Sequence, residues 1–325
     1  MKVKFWGVRG SLPSSMEPVL WSQHFERTMH EFFAQGFQGP QDVATFIKKK
    51  HVTELGGFGG ATTCVEVVDG DRSLLIDGGS GLKKYNDYLE QKKVLESTQA
   101  SLEFHILISH FHFDHLLGLP FFTPHFLKNS RIHYYSVQDD TALRIKQMFQ
   151  RPTFPVGFEQ LQAQIIFHAL KPYEKNQING FEVTAYRMDH PDESYGFRIE
   201  KNKKVYAHAV DHEAVRLTAT ELGPDAGLFE KANLLYFDAQ YTENEMLVKK
   251  GWGHGTCDRG FKVARDFAVE QILFAHHDPS LSLQDSWNQK KKAEQFFQAQ
   301  VTAGLINSSL KWDFAYEGQQ VDLCG

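Results

Sequence analysis

The chain has 325 residues, of which 42% are hydrophobic and 23% are charged, and its formal net charge is −5. This composition is typical of globular proteins and excludes a disordered, collagen-like or disulfide-scaffold chain. No run of about 18 uncharged apolar residues occurs, so no membrane span is predicted. Three widely spaced cysteines and a start without a secretory apolar stretch lead us to expect a cytoplasmic protein.

The acidic net charge argues against a protein that holds nucleic acid mainly through its phosphates. The chain also contains 27 phenylalanines and 16 histidines. The phenylalanines predict large hydrophobic cores. The histidines are either scattered over the surface or gathered at a metal site, and only their arrangement along the chain can decide between these.

Apolar periodicity predicts alternating strands and helices without a linker, and we therefore expect one domain over residues 1–325. Strands are predicted at residues 2–5, 62–68, 73–76, 104–108, 132–135, 164–169, 181–188, 195–199, 204–207, 234–237, 271–274 and 312–316. Helices are predicted at residues 82–95, 116–119, 139–150, 244–249, 259–269 and 283–299.

A change to helical spacing predicts a cap of two helices inserted at about residues 15–55. Its aromatic stripe consists of Trp21, Phe25, Phe32 and Phe33. Such a stripe is more typical of a core or of a dimer contact than of a substrate lid, so a homodimer is an open possibility.

A dense group of donors, His110, His112, Asp114 and His115, follows the apolar strand at residues 104–108. Imidazole and carboxylate donors suit zinc, manganese or iron better than a thiolate-binding metal. On an extended segment His110 and His112 point the same way, so both can reach one cation. Asp114 and His115 lie beyond them at a turn and can face a second cation.

Two cations need more ligands than this loop offers, and three further candidates follow apolar runs. They are His190, Asp211 and His276, each at the end of a predicted strand. Any one of them alone would more often be a structural residue. Their joint occurrence at strand ends downstream of the histidine-rich loop supports a shared site.

With these motifs the sequence resembles the metallo-β-lactamase superfamily of hydrolases, in its phosphodiesterase-like and tRNase Z-like branch. The resemblance rests on residues 5–11, 59–64, 77–81, 110–115, 238–241, 251–254 and 276–279. It implies an α/β fold of the αββα type, in which two sheets lie face to face between outer helices. It also implies a dinuclear metal site at one edge of the sandwich.

By position, the resemblance implies two sets of ligands that share one residue. The first ion would be bound by His110, His112 and His190, the second by Asp114, His115 and His276, and both by Asp211. In the adjacent pair of histidines, His276 fits the family position better than His277. The implied cofactors are two divalent cations, zinc in the first place, with manganese or iron as alternatives.

The resemblance also implies catalytic and supporting residues. His254, in a Gly-Trp-Gly-His loop, would be a general acid or an oxyanion donor, and Asp238 would orient its imidazole. Asp114 is counted among the catalytic residues as well as the ligands. Asp77 would support the metal loop without being a ligand. Arg9 would contact a phosphate or form an internal salt bridge, whereas His208 and His212 are interpreted as supporting or surface residues.

These features predict a phosphodiesterase that acts on a small or cyclic phosphodiester through a metal-bridging hydroxide. Two divalent cations lower the pKa of a bound water and neutralise the oxygens on which charge builds up. Three alternatives stay open: RNA 3′-end processing, hydrolysis of a carboxylic ester, lactone or thioester, and a non-enzymatic metal-binding interaction protein. The acidic balance disfavours the RNA alternative.

Overall fold

A computed structural model describes residues 1–96 and 101–324. Within these residues the chain forms fourteen strands. The first six are β1 (Lys2–Gly7), β2 (Cys64–Asp69), β3 (Arg72–Ile76), β4 (Leu102–Leu107), β5 (Ser130–Ser136) and β6 (Gln164–Ala169). The others are β7 (Asn176–Ile178), β8 (Phe181–Arg187), β9 (Tyr195–Lys201), β10 (Lys204–Ala209), β11 (Leu234–Asp238), β12 (Gln271–Ala275), β13 (Lys311–Phe314) and β14 (Gln320–Asp322).

The α-helices lie between these strands and in the inserted segment. They are α1 (Pro18–Ala34), α2 (Pro40–Lys48), α3 (Val52–Gly56), α4 (Gly81–Gln91), α5 (Thr141–Met148), α6 (Ala219–Leu222), α7 (Glu243–Lys249), α8 (Cys257–Asp266) and α9 (Leu283–Thr302). No helix in the described part of the chain combines the length and the apolar character needed to cross a membrane.

The strands form two seven-stranded sheets, in the orders β14-β1-β2-β3-β4-β5-β6 and β13-β12-β11-β10-β9-β8-β7. In each sheet the pairing is antiparallel on one side and parallel on the other. Parallel neighbours end at the same edge, so the loops that follow β3 and β4, and those that follow β10, β11 and β12, gather at sheet edges.

Apolar side chains fill three layers. Between the sheets, Phe5 stacks on Tyr236 with the ring centroids 4.8 Å apart. Outside the first sheet, Leu82 of α4 is buried in the same cluster as Phe104. Outside the second sheet, Phe261 of α8 packs edge-on against a ring of β12. The order helix, sheet, sheet, helix confirms the predicted αββα sandwich.

The predicted elements agree with the observed ones to within a few residues at most positions, and one helix is wrong. Residues 116–119 do not form a helix; short 3-10 turns lie at Phe113–His115 and Leu119–Phe121 instead. Pro120 in the second turn lacks an amide hydrogen, which disfavours continuation of an α-helix. The predicted helix at residues 82–95 ends early, at Gln91.

Three helices, α1 to α3, occupy the predicted insertion. Pro18 and Pro40 each stand at the first helical position, where a missing amide hydrogen costs nothing. Phe32 and Phe46 are buried between α1 and α2 with their centroids 5.3 Å apart. The rest of the aromatic stripe is on the surface, since Phe25 is 64% exposed. Only part of the stripe therefore forms a core.

Candidate metal centre

The side chains of the seven predicted ligands come together where the two sheets meet. The loop after β4 carries four of them, and the loops after β8, β10 and β12 carry one each. Three sets of donor atoms lie within 4.8 Å of one another. They are His110, His112, His190 and Asp211; Asp114, His115 and His276; and Asp211, Asp238, His254 and His276.

The first set surrounds one oxygen of Asp211. The Nε2 atoms of His110 and His190 each lie 3.9 Å from Asp211 Oδ1. The ring of His112 completes the group, with its centroid 4.5 Å from His110 and 4.9 Å from His190. Three imidazoles around one carboxylate oxygen form a donor set that suits a cation such as zinc.

The second set surrounds the other oxygen of Asp211. Asp211 Oδ2 lies 2.8 Å from His115 Nε2 and 3.2 Å from His276 Nε2. Asp114 Oδ2 lies 3.3 Å and 3.2 Å from the same two nitrogens. The two oxygens of Asp211 thus face different groups of donors, which is the arrangement needed for a carboxylate that bridges two cations.

Hydrogen bonding gives an independent test of whether a cation fits. In the described residues, Nε2 of His110, His115 and His190 and Oδ2 of Asp211 are buried and have no hydrogen-bond partner. His115 Nε2 and Asp211 Oδ2 are close, but they lack hydrogen-bond geometry. Buried polar atoms without partners cost about 1–3 kcal/mol each. These atoms point into the cluster, so the residues present fit divalent cations.

Hydrogen bonds on the outer nitrogens orient three of the imidazoles. His115 Nδ1 lies 2.7 Å from Asp77 Oδ2, and His276 Nδ1 lies 2.9 Å from Gln240 Oε1. His110 Nδ1 lies 3.1 Å from the hydroxyl of Ser109. These contacts leave Nε2 of each ring for an ion, as is usual for metal-binding histidines.

His112 has the opposite orientation. Its Nε2 lies 2.8 Å from Asp192 Oδ2, so Nδ1 is the nitrogen left for an ion. The roles of Asp192, Ser109 and Gln240 were not predicted from the sequence. No spacing rule identifies them, because each reaches its histidine through the fold or through a local turn.

Protons on histidines can offset the negative charge of the carboxylates in the cluster. Burial lowers the pKa of His110 well below its usual value, and neighbouring His115 adds to this. Burial also opposes protonation of His115, but Asp114 and Asp211 outweigh it and raise its pKa. The pKa of His276 is raised against burial in the same way, chiefly by Asp211. A bound cation would displace such protons, so metal binding is expected to release them.

His254 and Asp238 form a buried pair beside the cluster. His254 Nδ1 lies 3.0 Å from Asp238 Oδ2 and 3.8 Å from Asp211 Oδ1. The Asp238 carboxylate also accepts hydrogen bonds from the backbone amides of Asp211, Gln240 and Gly255. Asp238 is therefore fixed in place and orients the ring of His254 through Nδ1.

The other residues singled out from the sequence differ in their surroundings. Asp77 is buried and links Ser109 and His115, as expected of a supporting residue. His208 and His212 are also buried, which rules out a surface role; burial lowers the pKa of each to about 4. Arg9 forms no salt bridge in the described structure and donates to backbone carbonyls instead.

The backbone at the site adopts an uncommon conformation. Asp77, Asp211 and His276 have φ values of 60°, 53° and 60°, in the left-handed region. Residues with a Cβ rarely adopt this region, and each such residue costs about 1–2 kcal/mol. Each of the three directly or almost directly follows a strand that has a parallel neighbour.

Comparisons with known proteins identify the family of this chain. The family model described as "Beta-lactamase superfamily domain" matches residues 72–277. The chain is 24% identical to ribonuclease Z of Archaeoglobus fulgidus over 254 residues, which cover 64% of this chain and 78% of that protein. It is 23% identical to ribonuclease Z of Streptococcus suis over 262 residues, 64% of this chain and 82% of that one.

Solved structures share the fold. Unliganded yeast PDE1 superposes with a TM-score of 0.60 at 13% identity, over 98% of both chains. The metallo-beta-lactamase fold protein YhfI from Bacillus subtilis gives 0.59 at 17% identity, also over 98% of both. The short form of human tRNase Z gives 0.56 at 16% identity over 99% of both. The chain therefore belongs to the metallo-β-lactamase superfamily, in its tRNase Z-like branch, and is a metal-dependent hydrolase.

Proposed function

We propose that the protein is a phosphodiesterase with two divalent cations at the candidate centre, zinc in the first place. The observation that carries the proposal is Asp211, whose two oxygens face two separate donor sets. When bound, the cations would supply an activated water and neutralise the non-bridging oxygens of a phosphodiester. The seven predicted ligands are proposed in the roles that the family resemblance implies.

The side chains of the protein would hold and orient this centre. Asp211 would fix the spacing of the two sets, and Asp77 and Gln240 would aim the imidazoles of His115 and His276. The amide of Ser11 donates to Asp114 Oδ2 at 2.9 Å, which holds that carboxylate in place. The reaction would then begin from an arrangement that needs little adjustment.

His254 is proposed as the general acid. Its Nδ1 lies 3.0 Å from Asp238 Oδ2, and this contact fixes the orientation of the ring. Nε2 would then give its proton to the oxygen that leaves the phosphorus. Asp238 acts on the reaction through His254 and is a positioning residue.

The surroundings of the cluster favour a small phosphodiester. Large exposed apolar side chains lie within two residues of site residues in the sequence: Leu12 is 60% exposed, Phe113 72% and Trp252 61%. Asp192, beside His112, is an exposed acid. Exposed apolar and acidic side chains near the site residues in the sequence suit a substituent of low charge better than a long polyanion.

RNA 3′-end processing is the second candidate, because curated relatives found over most of their own length are ribonucleases Z. This finding reopens nucleic acid as a partner, which the acidic net charge alone had argued against. The fold accommodates either substrate, so the choice between them depends on what surrounds the metal centre.

A substrate panel on protein of measured metal content tests the proposal. We expect about two equivalents of metal, turnover of bis(p-nitrophenyl) phosphate and of a cyclic nucleotide, and no cleavage of a precursor tRNA. Cleavage of the precursor tRNA at its 3′ side would favour the second candidate. Protein without bound metal, or turnover of carboxylic esters, lactones or thioesters alone, would reject the phosphodiesterase. An intact metal site without any turnover would indicate a binding protein.

A further inference from the structure

Arg9 is a buried cation without a carboxylate partner. Its side chain is 8% exposed, Nε donates to Gly59 O at 2.9 Å, and Nη1 donates to Asp278 O at 2.8 Å. Among residues 1–96 and 101–324, no carboxylate oxygen lies within ion-pair distance of it. Buried charges are normally paired, because removal from water is costly. The guanidinium is therefore a candidate for binding an anion from outside the chain.

Arg9 lines a cleft of about 760 Å³ between the inserted segment and the body of the protein. The lining also includes Lys83 and Lys84, near the start of α4, and Ser14 and Ser15. The aromatic ring of Trp21, at the start of α1, also borders it. The cleft is thus large enough for a phosphate with an organic substituent.

The acidic residues near the cleft do not neutralise all of its cations. Lys83 pairs with Asp87 and Lys84 pairs with Glu317, whereas both lysines are about half exposed and can turn towards a ligand. Glu17 also borders the cleft. Glu317 and Asp278 attract the Arg9 guanidinium from beyond ion-pair distance, so among the described residues it has no direct carboxylate partner.

The cleft is a direct neighbour of the metal centre. The chain segment that follows Arg9 separates the two: Gly10 lies against the ring of His276, and the amide of Ser11 donates to Asp114. Ser14, in the cleft wall, is three residues further on, which corresponds to at most about 10 Å along the chain. A molecule that extends over this segment could occupy both places.

We propose that this cleft is a phosphate-binding subsite in which Arg9, assisted by Lys83 and Lys84, holds a phosphate group close to the metal centre. A guanidinium suits phosphate because its planar fork can give two parallel hydrogen bonds. The phosphate would come either from a substrate with a second phosphate or from free phosphate. The first source rests on the proposed phosphodiesterase function, and the second does not.

Calorimetric titration of the metal-loaded protein with inorganic phosphate tests the subsite. We expect two classes of phosphate sites in the wild type, of which Asp211→Asn removes only the one at the metal centre. Arg9→Lys and the double variant Lys83→Gln with Lys84→Gln should each raise the Kd of the other class roughly tenfold. The double variant keeps the test valid if Arg9→Lys fails to fold.

The matched control is Lys291→Gln with Lys292→Gln, an exposed pair of adjacent lysines on α9, which should leave both Kd values unchanged. A single class of phosphate site that the Lys83 and Lys84 variant does not alter would overturn the proposal. Absence of phosphodiester turnover would count against the proposed function alone, since the titration does not depend on turnover.

Kinetics distinguish the two sources of phosphate. For a substrate phosphate, the ratio of kcat/KM for a 5′-phosphorylated dinucleotide to that for bis(p-nitrophenyl) phosphate should fall about tenfold in the Lys83 and Lys84 variant. For free phosphate, the ratio should stay the same while the Kd for inorganic phosphate still rises. Either result supports the subsite if the titration has shown it.

Discussion

Asp211 decides whether the cluster can hold two ions rather than one. Its oxygens lie within 3.9 Å of donors on both sides, and the side chain is almost completely buried. Its carboxyl pKa is held well below the usual value because nearby imidazoles, His276 first among them, outweigh the effect of burial. In the proposed dinuclear centre, Asp211 would be the carboxylate that both halves of the site share.

Replacement of Asp211 by asparagine should distinguish the proposed metal-bridging role of its carboxylate from a role in packing. Asp211→Asn keeps the volume but removes the negative charge, so we expect loss of most bound metal and a fall in kcat/KM of at least about 100-fold. Elemental analysis and hydrolysis of bis(p-nitrophenyl) phosphate measure the two effects. Asp192→Asn, which changes a contact of His112 alone, should cost about tenfold or less. Full metal content in Asp211→Asn would contradict the bridging role.

His254 offers a prediction that depends on the leaving group. His254→Gln should lower kcat for an alkyl phosphodiester by about 100- to 10,000-fold, because its leaving oxygen needs a proton. The loss should be much smaller for bis(p-nitrophenyl) phosphate, whose leaving group is a stable anion. Metal content should not change. An equal loss for both substrates would argue for a structural role of His254.

The sequence could indicate the donors at the residue scale but not what orients them. The hexapeptide at residues 110–115 and the strand ends are visible in the chain, and the family resemblance sorts them into roles. The contact of Gln240 with His276 is not visible, because it joins residues 36 positions apart across two loops. The left-handed conformation of Asp211 carries no signal either, since glycine does not mark it.

At the scale of elements, the short ones escaped prediction. Strands β7 and β14 have three residues each, and α6 has four. Such lengths give no period that a pattern could reveal, and their formation depends on an adjacent strand or turn. The longer strands and helices were predicted because each has an apolar face or core long enough to recognise.

The inserted helices are held together by a small aromatic core. Phe46 is 3% exposed and contacts Phe32 and Phe37 with centroids 5.3 and 5.7 Å away. We propose that this segment is a cap on a single domain and can loosen without loss of the metal centre. Its own core is the place to test that idea.

Phe46→Ala should destabilise the cap by about 3–5 kcal/mol, because it removes a buried ring. Limited proteolysis should then cut within α1 or α2, while turnover of bis(p-nitrophenyl) phosphate changes by less than about threefold. Ile47→Ala, at a position that is 47% exposed, is the matched control and should not increase cleavage. Loss of bound metal in Phe46→Ala would show that the cap and the centre are one unit.

At the scale of the whole molecule, buried neutral histidines link stability to pH. His125 is fully buried, and burial lowers its pKa to about 3. Its Nε2 lies 2.7 Å from the hydroxyl of Tyr134. In the unfolded chain His125 takes up a proton below about pH 6.5, whereas in the folded chain it is protonated only near pH 3. The contribution of neutral His125 to the stability of the fold is therefore complete above its unfolded pKa of 6.5 and is lost as the pH falls towards 3.

Between pH 6.5 and 3, each unit by which the pH falls should lower the free energy of unfolding by about 1.4 kcal/mol through His125 alone. His125→Gln should accordingly give a flatter dependence of the free energy of unfolding on pH between 6 and 4. Urea denaturation at several pH values measures it. His30→Gln, at an exposed histidine, should leave the slope unchanged. An unaltered slope in His125→Gln would mean that other buried groups dominate acid unfolding.

The distribution of the donors over the two sheets has a mechanical consequence. The loop after β4 belongs to the first sheet, whereas His190, Asp211 and His276 follow strands of the second. Ions bound by ligands from both sheets would cross-link one edge of an interface that is otherwise held together by hydrophobic contacts. Removal of the ions by a chelator should then let the two sheets separate at that edge. Hydrogen–deuterium exchange should become faster there, while the opposite edge of the sandwich stays protected.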